Sequence, residues 1–329
     1  MSQTDPYQEL TTAIGISESA CIPRIFKMLA DEDEAKILLA AAPPATIEEL
    51  AERSGVPIEK VKSSIDPLFK RGLLYKSSRP GIYYRVKSML QFHDATILAP
   101  GMTQEFYDLW KEYHEKEFDE HMGQIQSVLP RSAMRVIPVN VAVQPDVQVV
   151  YFDDVRQIVE KARNLAVTDC TCRVVDGRCG KSLEACIQID KAADYAIERG
   201  SGRQLTKEEC LKILKQCEEE GLVHVVSNSR GLGHVLCNCC DDCCINWVNH
   251  GRGKLNFTAP SRFTAVVDAD LCTTCEVCAD RCYFDAISFD TGVSEIDEEK
   301  CMGCGLCVVT CEEEAISMRE TRDEEFVPA

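Results

Sequence analysis

Across 329 residues, no stretch approaches the run of about 18 apolar residues that a membrane-spanning helix needs, so no span is expected. The opening residues, MSQTDPYQEL, have neither the basic region nor the apolar core of a signal peptide, which points to a cytoplasmic protein. There is no Walker loop, no G-x-S-x-G and no H-E-x-x-H. RGLGHV has two glycines at a dinucleotide-fingerprint separation but lacks the third and a following helix, so no nucleotide or flavin site is legible. Basic residues are also short: 36 Lys and Arg stand against 54 Asp and Glu, a formal net charge of −18. A surface of that sign repels phosphate backbones and anionic lipid, and so argues against nucleic acid as a partner of the whole protein. It suits a redox partner protein with a basic docking face.

Cysteine, by contrast, is plentiful, with twenty in a chain long enough for two or three domains. Disulfide frameworks belong to small exported proteins, so these thiols are read as reduced and metal-binding. Cys272, Cys275, Cys278 and Cys282 follow C-x2-C-x2-C-x3-C, and Cys301, Cys304, Cys307 and Cys311 repeat it. Three thiolates on one tight loop can hold three irons of a cubane, while the fourth cysteine lies too far along and ligates the partner cluster. Crossed ligation is therefore expected for two 4Fe-4S clusters. One set is Cys272, Cys275, Cys278 and Cys311; the other is Cys301, Cys304, Cys307 and Cys282. Paired zinc knuckles, the competing reading, would leave the third cysteine of each run idle.

From about Phe263 to Ser317 the chain resembles bacterial-type dicluster ferredoxins, through CTTCEVCADRCYFDAISF and CMGCGLCVVTCEEEAISM. It departs from them after the fourth cysteine, where the usual proline is Tyr283 in one run and Glu312 in the other. That change alters solvent access and hydrogen bonding at the sulfurs, both levers on cluster potential.

Residues 151–262 hold a second cysteine-rich region. Val155, Ile158, Val159 and Ala162 mark a helix, and LAVTDC reads as a strand running to Cys170 and Cys172 in DCTCR. Cys179 follows. Cys186 is expected one turn into a helix starting near Ser182, where the positive helix end favours a thiolate. The capping box TKEE at Thr206 begins a helix ending at Gly221; its Cys210, Leu214 and Cys217 share an apolar face, so these two cysteines read as core rather than ligands. After the strand LVHVVSN comes CNCCDDCC, in which Cys237, Cys240 and Cys243 repeat the three-iron spacing and Cys239 and Cys244 remain. The nine thiols Cys170, Cys172, Cys179, Cys186, Cys237, Cys239, Cys240, Cys243 and Cys244 fit one or two additional Fe–S clusters. A zinc site or buried free thiols is the alternative.

Residues 20–90 read as three helices and a hairpin, an order similar to a winged helix. Asp31 to Ala41 is helical, TIEE at Thr46 is a capping box, and Pro57 opens a third helix with Ile58, Val61, Ile65, Leu68 and Phe69 at helical spacing. GLLYKSSRPGIYYRV gives two short strands about a turn at Ser78 to Gly81. Lys60, Lys62, Lys70, Arg71, Lys76, Arg79 and Arg85 invite a DNA-binding reading. The acidic run Asp31–Glu34, the overall charge and Pro67, expected to interrupt the third helix, favour protein docking instead. Beyond it, Gln104 to Phe118 reads as a helix and RVIPVNVAVQPDVQVV as an extended segment. His93, His114 and His121 are assigned no role.

The expected architecture is multidomain α+β: a winged-helix-like domain (1–95), a helical and extended linker region (96–150), a cysteine-rich α/β Fe–S middle domain (151–262) and a dicluster ferredoxin-like domain (263–329). Nearly the whole chain resembles a family of multidomain 4Fe-4S proteins of strict anaerobes. The resemblance rests on EAKILLA…TIEELAERSGV, FHDATI, RVIPV, DCTCR…EAC, CNCCDDCC and the dicluster tail. It implies a redox protein of anaerobic metabolism. With no catalytic residue legible, the leading reading is a soluble carrier or subunit passing low-potential electrons between oxidoreductases. A redox-responsive winged-helix regulator is one alternative, and an Fe–S enzyme with an open-coordination cluster in the middle domain is another.

Overall fold

The computed structural model describes residues 5–139, 150–245 and 258–329, in a fold of mixed helix and strand. It divides into two compact units. The first is Met1–Ile125 with Thr171–Gly177 and Ile197–Ser201; the second is Gln126–Cys170, Arg178–Ala196 and Gly202–Ala329.

In the first unit, helices Glu32–Ala40, Ile47–Ser54 and Ile58–Lys70 precede strands β1 (Leu74–Lys76) and β2 (Tyr83–Arg85). Two capping boxes fix the starts of the first two helices. Asp31 accepts from the Glu34 amide at 2.8 Å and Glu34 accepts in return at 3.0 Å; Thr46 and Glu49 repeat the exchange at 3.3 and 2.8 Å. The third helix corrects one expectation, because it runs through Pro67 to Lys70 without a break. The reason is one of magnitude. An interior proline costs about 3 kcal/mol, whereas each large apolar side chain buried from this helix contributes about 1.5–3 kcal/mol. Val61, Ile65, Leu68 and Phe69 are all buried.

Six of the seven basic residues singled out in this region are engaged within the unit. Arg71 meets the carboxylate of Glu34 at 2.7 Å, Lys60 meets Asp31 at 2.8 Å, Lys62 meets Glu59 at 2.9 Å and Lys70 meets Asp66 at 3.0 Å. Lys76 pairs with Glu198, and Arg85 donates to the carbonyls of Ala13 and Val86. The unit also holds an aromatic core in which Phe26 stacks on Phe92 at 4.2 Å and Phe92 meets Trp110 at 5.4 Å. Here the expected helix is found as Gln104–Lys116. His93 is buried with Nδ1 2.8 Å from Asp94, and His121 is buried with Nδ1 3.2 Å from the Tyr113 hydroxyl.

The second unit is built on a seven-stranded sheet of β3 (Met134–Val136), β4 (Leu165–Asp169), β5 (Glu184–Ile189), β6 (Gly202–Gln204), β7 (Val223–Ser227), β8 (Val235–Cys239) and β9 (Thr258–Ala259). Its order is β6-β4-β5-β8-β7-β3-β9, antiparallel throughout except for the β3–β9 pair. The segment expected to be extended thus contributes β3, while its residues 140–149 lie outside the described residues. β5 corrects a second expectation, since the helix assigned near Ser182 is a strand. Ala185, Ile187 and Ile189 are buried and alternate with the less buried Cys186 and Gln188, a period of two rather than 3.6. No helix terminus therefore supports a Cys186 thiolate.

Strand alternation sends residues to opposite faces of this sheet. Val226 and Leu236 pack with helices Val155–Lys161 and Lys207–Glu219. Val136, Val223, Val225 and Cys239 pack against the C-terminal segment. That segment pairs β10 (Phe263–Val267) with β13 (Ile316–Glu320) and β11 (Ile287–Ser288) with β12 (Glu295–Ile296), all antiparallel. A buried ionic chain ties it to the sheet. Asp153 accepts from Arg135 on one oxygen and from Arg262 at 3.0 Å on the other, and Arg262 continues to Glu320. Arg281 donates to the carbonyls of Glu218 and Glu219, at 3.0 and 2.8 Å, at the end of helix Lys207–Glu219. A cation there also offsets the negative end of the helix.

Candidate metal centres

The two tail loops are conformational copies. Thr274 and Glu276 hold φ at 56° and 65°, and Gly303 and Gly305, at the same places in the second run, hold 68° and 78°. Asp285 and Glu314, each three residues past the fourth cysteine, repeat the pattern at 50° and 52°. Left-handed backbone at non-glycine residues is uncommon, and its recurrence at matched positions marks a loop wound to a set shape. Short helices Val277–Asp280 and Leu306–Val309 follow in each copy.

Two cavities lie in these loops. One is lined by Cys272, Cys275, Cys278 and Cys311, together with Phe289, Ser294 and Ile316. The other is lined by Cys282, Cys301, Cys304 and Cys307, together with Phe284, Ile287 and Ile296. Each gathers three thiols of one run and the fourth of the other, which is the donor number a cubane takes. The amides of Ser294 and Ala315 donate to Cys272 Sγ at 3.5 Å and Cys311 Sγ at 3.3 Å. The Ser294 and Thr274 amides hold the Cys272 thiol below its ordinary value. Burial does the opposite in the second cavity, pushing Cys304 up to about 12 and raising Cys282 and Cys307. Thiols in so apolar a wall become thiolates when a metal supplies the positive charge. The first cavity opens towards solvent, because Cys275 is exposed.

The middle cysteines separate into groups that sequence spacing does not mark. Cys237 and Cys239 lie on one face of β8 and meet Cys244, thiol to thiol, about Cys239. Cys240 and Cys243 fall past the strand end on the other side and join Cys179, reached from the loop after Gly177. Of the expected trio, Cys240 and Cys243 thus sit with Cys179, while Cys237 packs in the apolar cluster of Cys239 and Cys244. Cys170, whose amide donates to the Leu183 carbonyl, Cys172 in the short helix Thr171–Asp176, and Cys186 on β5 are not members of the Cys179 group. Cys210 and Cys217 are buried on helix Lys207–Glu219, the former among Leu214, Val167 and Leu236, the latter beside Cys240 and Cys243.

One residue joins these sites that sequence reasoning passes over. Asp242 has a carboxylate oxygen in the Cys179 group, and its position inside CCDDCC is the one available signal. Tyr283, already singled out where ferredoxins carry proline, is partly buried near both cysteine-rich regions. Burial first, then the charge of Asp241, pushes its phenol up to about 12.

Residues 294–317, spanning the second cysteine run, match the 4Fe-4S binding domain family. The chain matches no curated protein and no solved structure. With the cysteine clusters, the family match supports an iron–sulfur protein with at least one 4Fe-4S cluster. No helix among the described residues is long and apolar enough to cross a membrane.

Proposed function

We propose that this protein carries low-potential electrons between oxidoreductases of anaerobic metabolism, as a free carrier or as a subunit. Two 4Fe-4S clusters supply the one-electron couples. Cys272, Cys275, Cys278 and Cys311 hold one; Cys301, Cys304, Cys307 and Cys282 hold the other. The observation that carries this reading is the sorting of eight thiols into two cavities in that crossed pattern. Phe284, Ile287 and Ile296 keep water from the inner cluster, and the Ser294 and Ala315 amides stabilise negative charge on the outer one. The outer cluster, beside exposed Cys275, is where electrons enter or leave. Exposed Leu271 and Val277 with Glu276 and Asp280 offer an apolar centre and acidic rim to a partner with a basic docking face.

A further Fe–S cluster is assigned to the middle cysteines outside the Cys179 group, of which Cys237, Cys239 and Cys244 share the apolar cluster of Cys278 and Cys301. For the winged-helix-like N-terminal region, docking of a protein is favoured over reading of DNA. What supports this is that Lys60, Lys62, Lys70 and Arg71 already face carboxylates. Specific readout needs such groups free for phosphates and base edges.

Serine substitutions under anaerobic conditions test the crossed ligation. The wild-type protein should bind more iron than the roughly eight atoms of two cubanes. A Cys272→Ser, Cys311→Ser double variant should lose one cluster by electron paramagnetic resonance, because both residues serve the same cube. A Cys307→Ser, Cys311→Ser double variant should lose two. The reverse pattern, or zinc in these cavities, rejects the proposal.

A further inference from the structure

Cys179 Sγ, Cys240 Sγ, Cys243 Sγ and a carboxylate oxygen of Asp242 all lie within 4.8 Å of one another. Among the described residues this is the one group of potential ligands so tightly drawn, and neither tail set of four cysteines meets that limit. The difference bears on what each place can hold. In a cubane every thiolate binds a different iron, so the sulfurs stand apart by the breadth of the cluster. Around a single ion, metal–sulfur bonds of about 2.3 Å put tetrahedral ligand atoms roughly 3.8 Å from each other. The Cys179 group has the compactness of the second case.

Asp242 supplies an independent observation. Its Oδ1 is buried and accepts no hydrogen bond. A carboxylate oxygen left without a donor in that setting costs on the order of 1–3 kcal/mol or more, and a cation at the thiols would remove the cost. The surroundings fix all four donors. Cys240 follows the last residue of β8, and Asp242 and Cys243 occupy the turn beyond it. Arg178 reaches from the loop carrying Cys179 to the Asp242 carbonyl at 2.9 Å. Lys181, on the same loop, donates to the Glu220 carbonyl at 2.6 Å, which ties the loop to the end of helix Lys207–Glu219. Cys240 and Cys243 are buried against Cys217, Ala185 and Leu222.

We propose that Cys179, Cys240, Cys243 and Asp242 bind one tetrahedral zinc ion, separate from every Fe–S cluster of the chain. Three thiolates and one carboxylate are borderline-soft donors that suit Zn²⁺, which has no redox chemistry of its own. The site pins the 177–183 loop to the end of β8, a structural role beside the electron path.

The test uses the full-length protein purified anaerobically. Elemental analysis should find one zinc per chain in addition to iron. Zinc X-ray absorption should show three sulfurs at about 2.3 Å and one oxygen at about 2.0–2.2 Å. Cys240→Ser should lose zinc with the iron content and paramagnetic signals unchanged. Asp242→Ala should release zinc to a chelator roughly tenfold faster or more, the scale on which weakened metal sites fall. Asp242→Cys should give four sulfurs and slower release, and because it keeps the ion it answers the case in which Cys240→Ser fails to fold. A wild-type protein without zinc, an Asp242→Cys variant with an unchanged coordination shell, or iron lost with Cys240→Ser in an otherwise folded protein would each overturn the proposal.

Discussion

Gly303 holds φ at +68°, and a Cβ there would collide with the Phe263 carbonyl and stand 2.6 Å from Ser261 Oγ. Both strain and clash fall on backbone that cannot swing aside. Gly303→Ala should therefore weaken the inner cluster loop by about 2 kcal/mol or more, read as faster iron loss to a chelator with helical circular dichroism retained. Its counterpart Thr274 adopts the same conformation without glycine, so Thr274→Gly should leave iron retention unchanged or improve it. His114 makes a different kind of prediction. Burial first, and then the neighbouring His93, hold its imidazole well below the ordinary 6.5, with Nε2 buried and unpartnered. The unfolded chain takes up this proton near 6.5 while the folded protein refuses it, so folding stability falls as pH drops below that value. The slope is at most about 1.4 kcal/mol per pH unit for one such group. The protection factor of helix Gln104–Lys116, its exchange rate corrected for the intrinsic fall with pH, should drop between about pH 6.5 and 5, and His114→Phe should flatten that dependence. An unchanged slope in the variant would remove His114 as the cause.

Elements are joined in the second unit by the buried chain Arg135–Asp153–Arg262–Glu320. Asp153 and Arg135 are fully buried and Arg262 nearly so. Such a chain adds little net stability over apolar packing, but losing its centre leaves two guanidinium groups uncompensated. Asp153→Ala should cost about 3–5 kcal/mol and detach the C-terminal segment from β3 first. The check is urea unfolding alongside protection of the β10 and β13 amides. Glu320, two-fifths exposed, sits at the end of the chain of charges, and Glu320→Gln should cost well under half as much. The capping boxes at Thr46 and Thr206 are legible in the sequence because a local hydrogen-bond exchange over three residues depends on nothing distant. β5 is misread for the opposite reason. Its ACIQI is short enough to suit either period, and pairing with β4 and β8 decides it.

For the whole molecule, a net charge of −18 sets how it meets others. Electron transfer with a basic partner should slow about tenfold or more as ionic strength rises from about 0.01 to 0.5 M, because steering at long range is screened. Stopped-flow reduction across a salt series would read this directly. A rate indifferent to salt would mean that apolar contact around Leu271 and Val277, rather than charge, governs docking. A genome-wide binding selection with clusters intact bears on the N-terminal region. No defined operator is expected, and recovery of one at nanomolar affinity would make the clusters sensors for a regulator.

The sequence alone carries the double C-x2-C-x2-C-x3-C spacing, the helices with their caps, the acidic balance and the absence of a long apolar run. All of these depend on neighbours a few residues away or on sums over the chain. It also places Cys210 and Cys217 in the core, since a helical face is read from local periodicity. The partition of the middle cysteines is decided only in three dimensions. Cys179 reaches Cys240 and Cys243 from a distant loop, Cys237 packs with the cluster of Cys239 and Cys244, and Asp242 becomes a potential ligand because folding buries its oxygen without a donor. Likewise Pro67 stays inside a helix because the stripe beside it is buried, a balance that no local propensity contains.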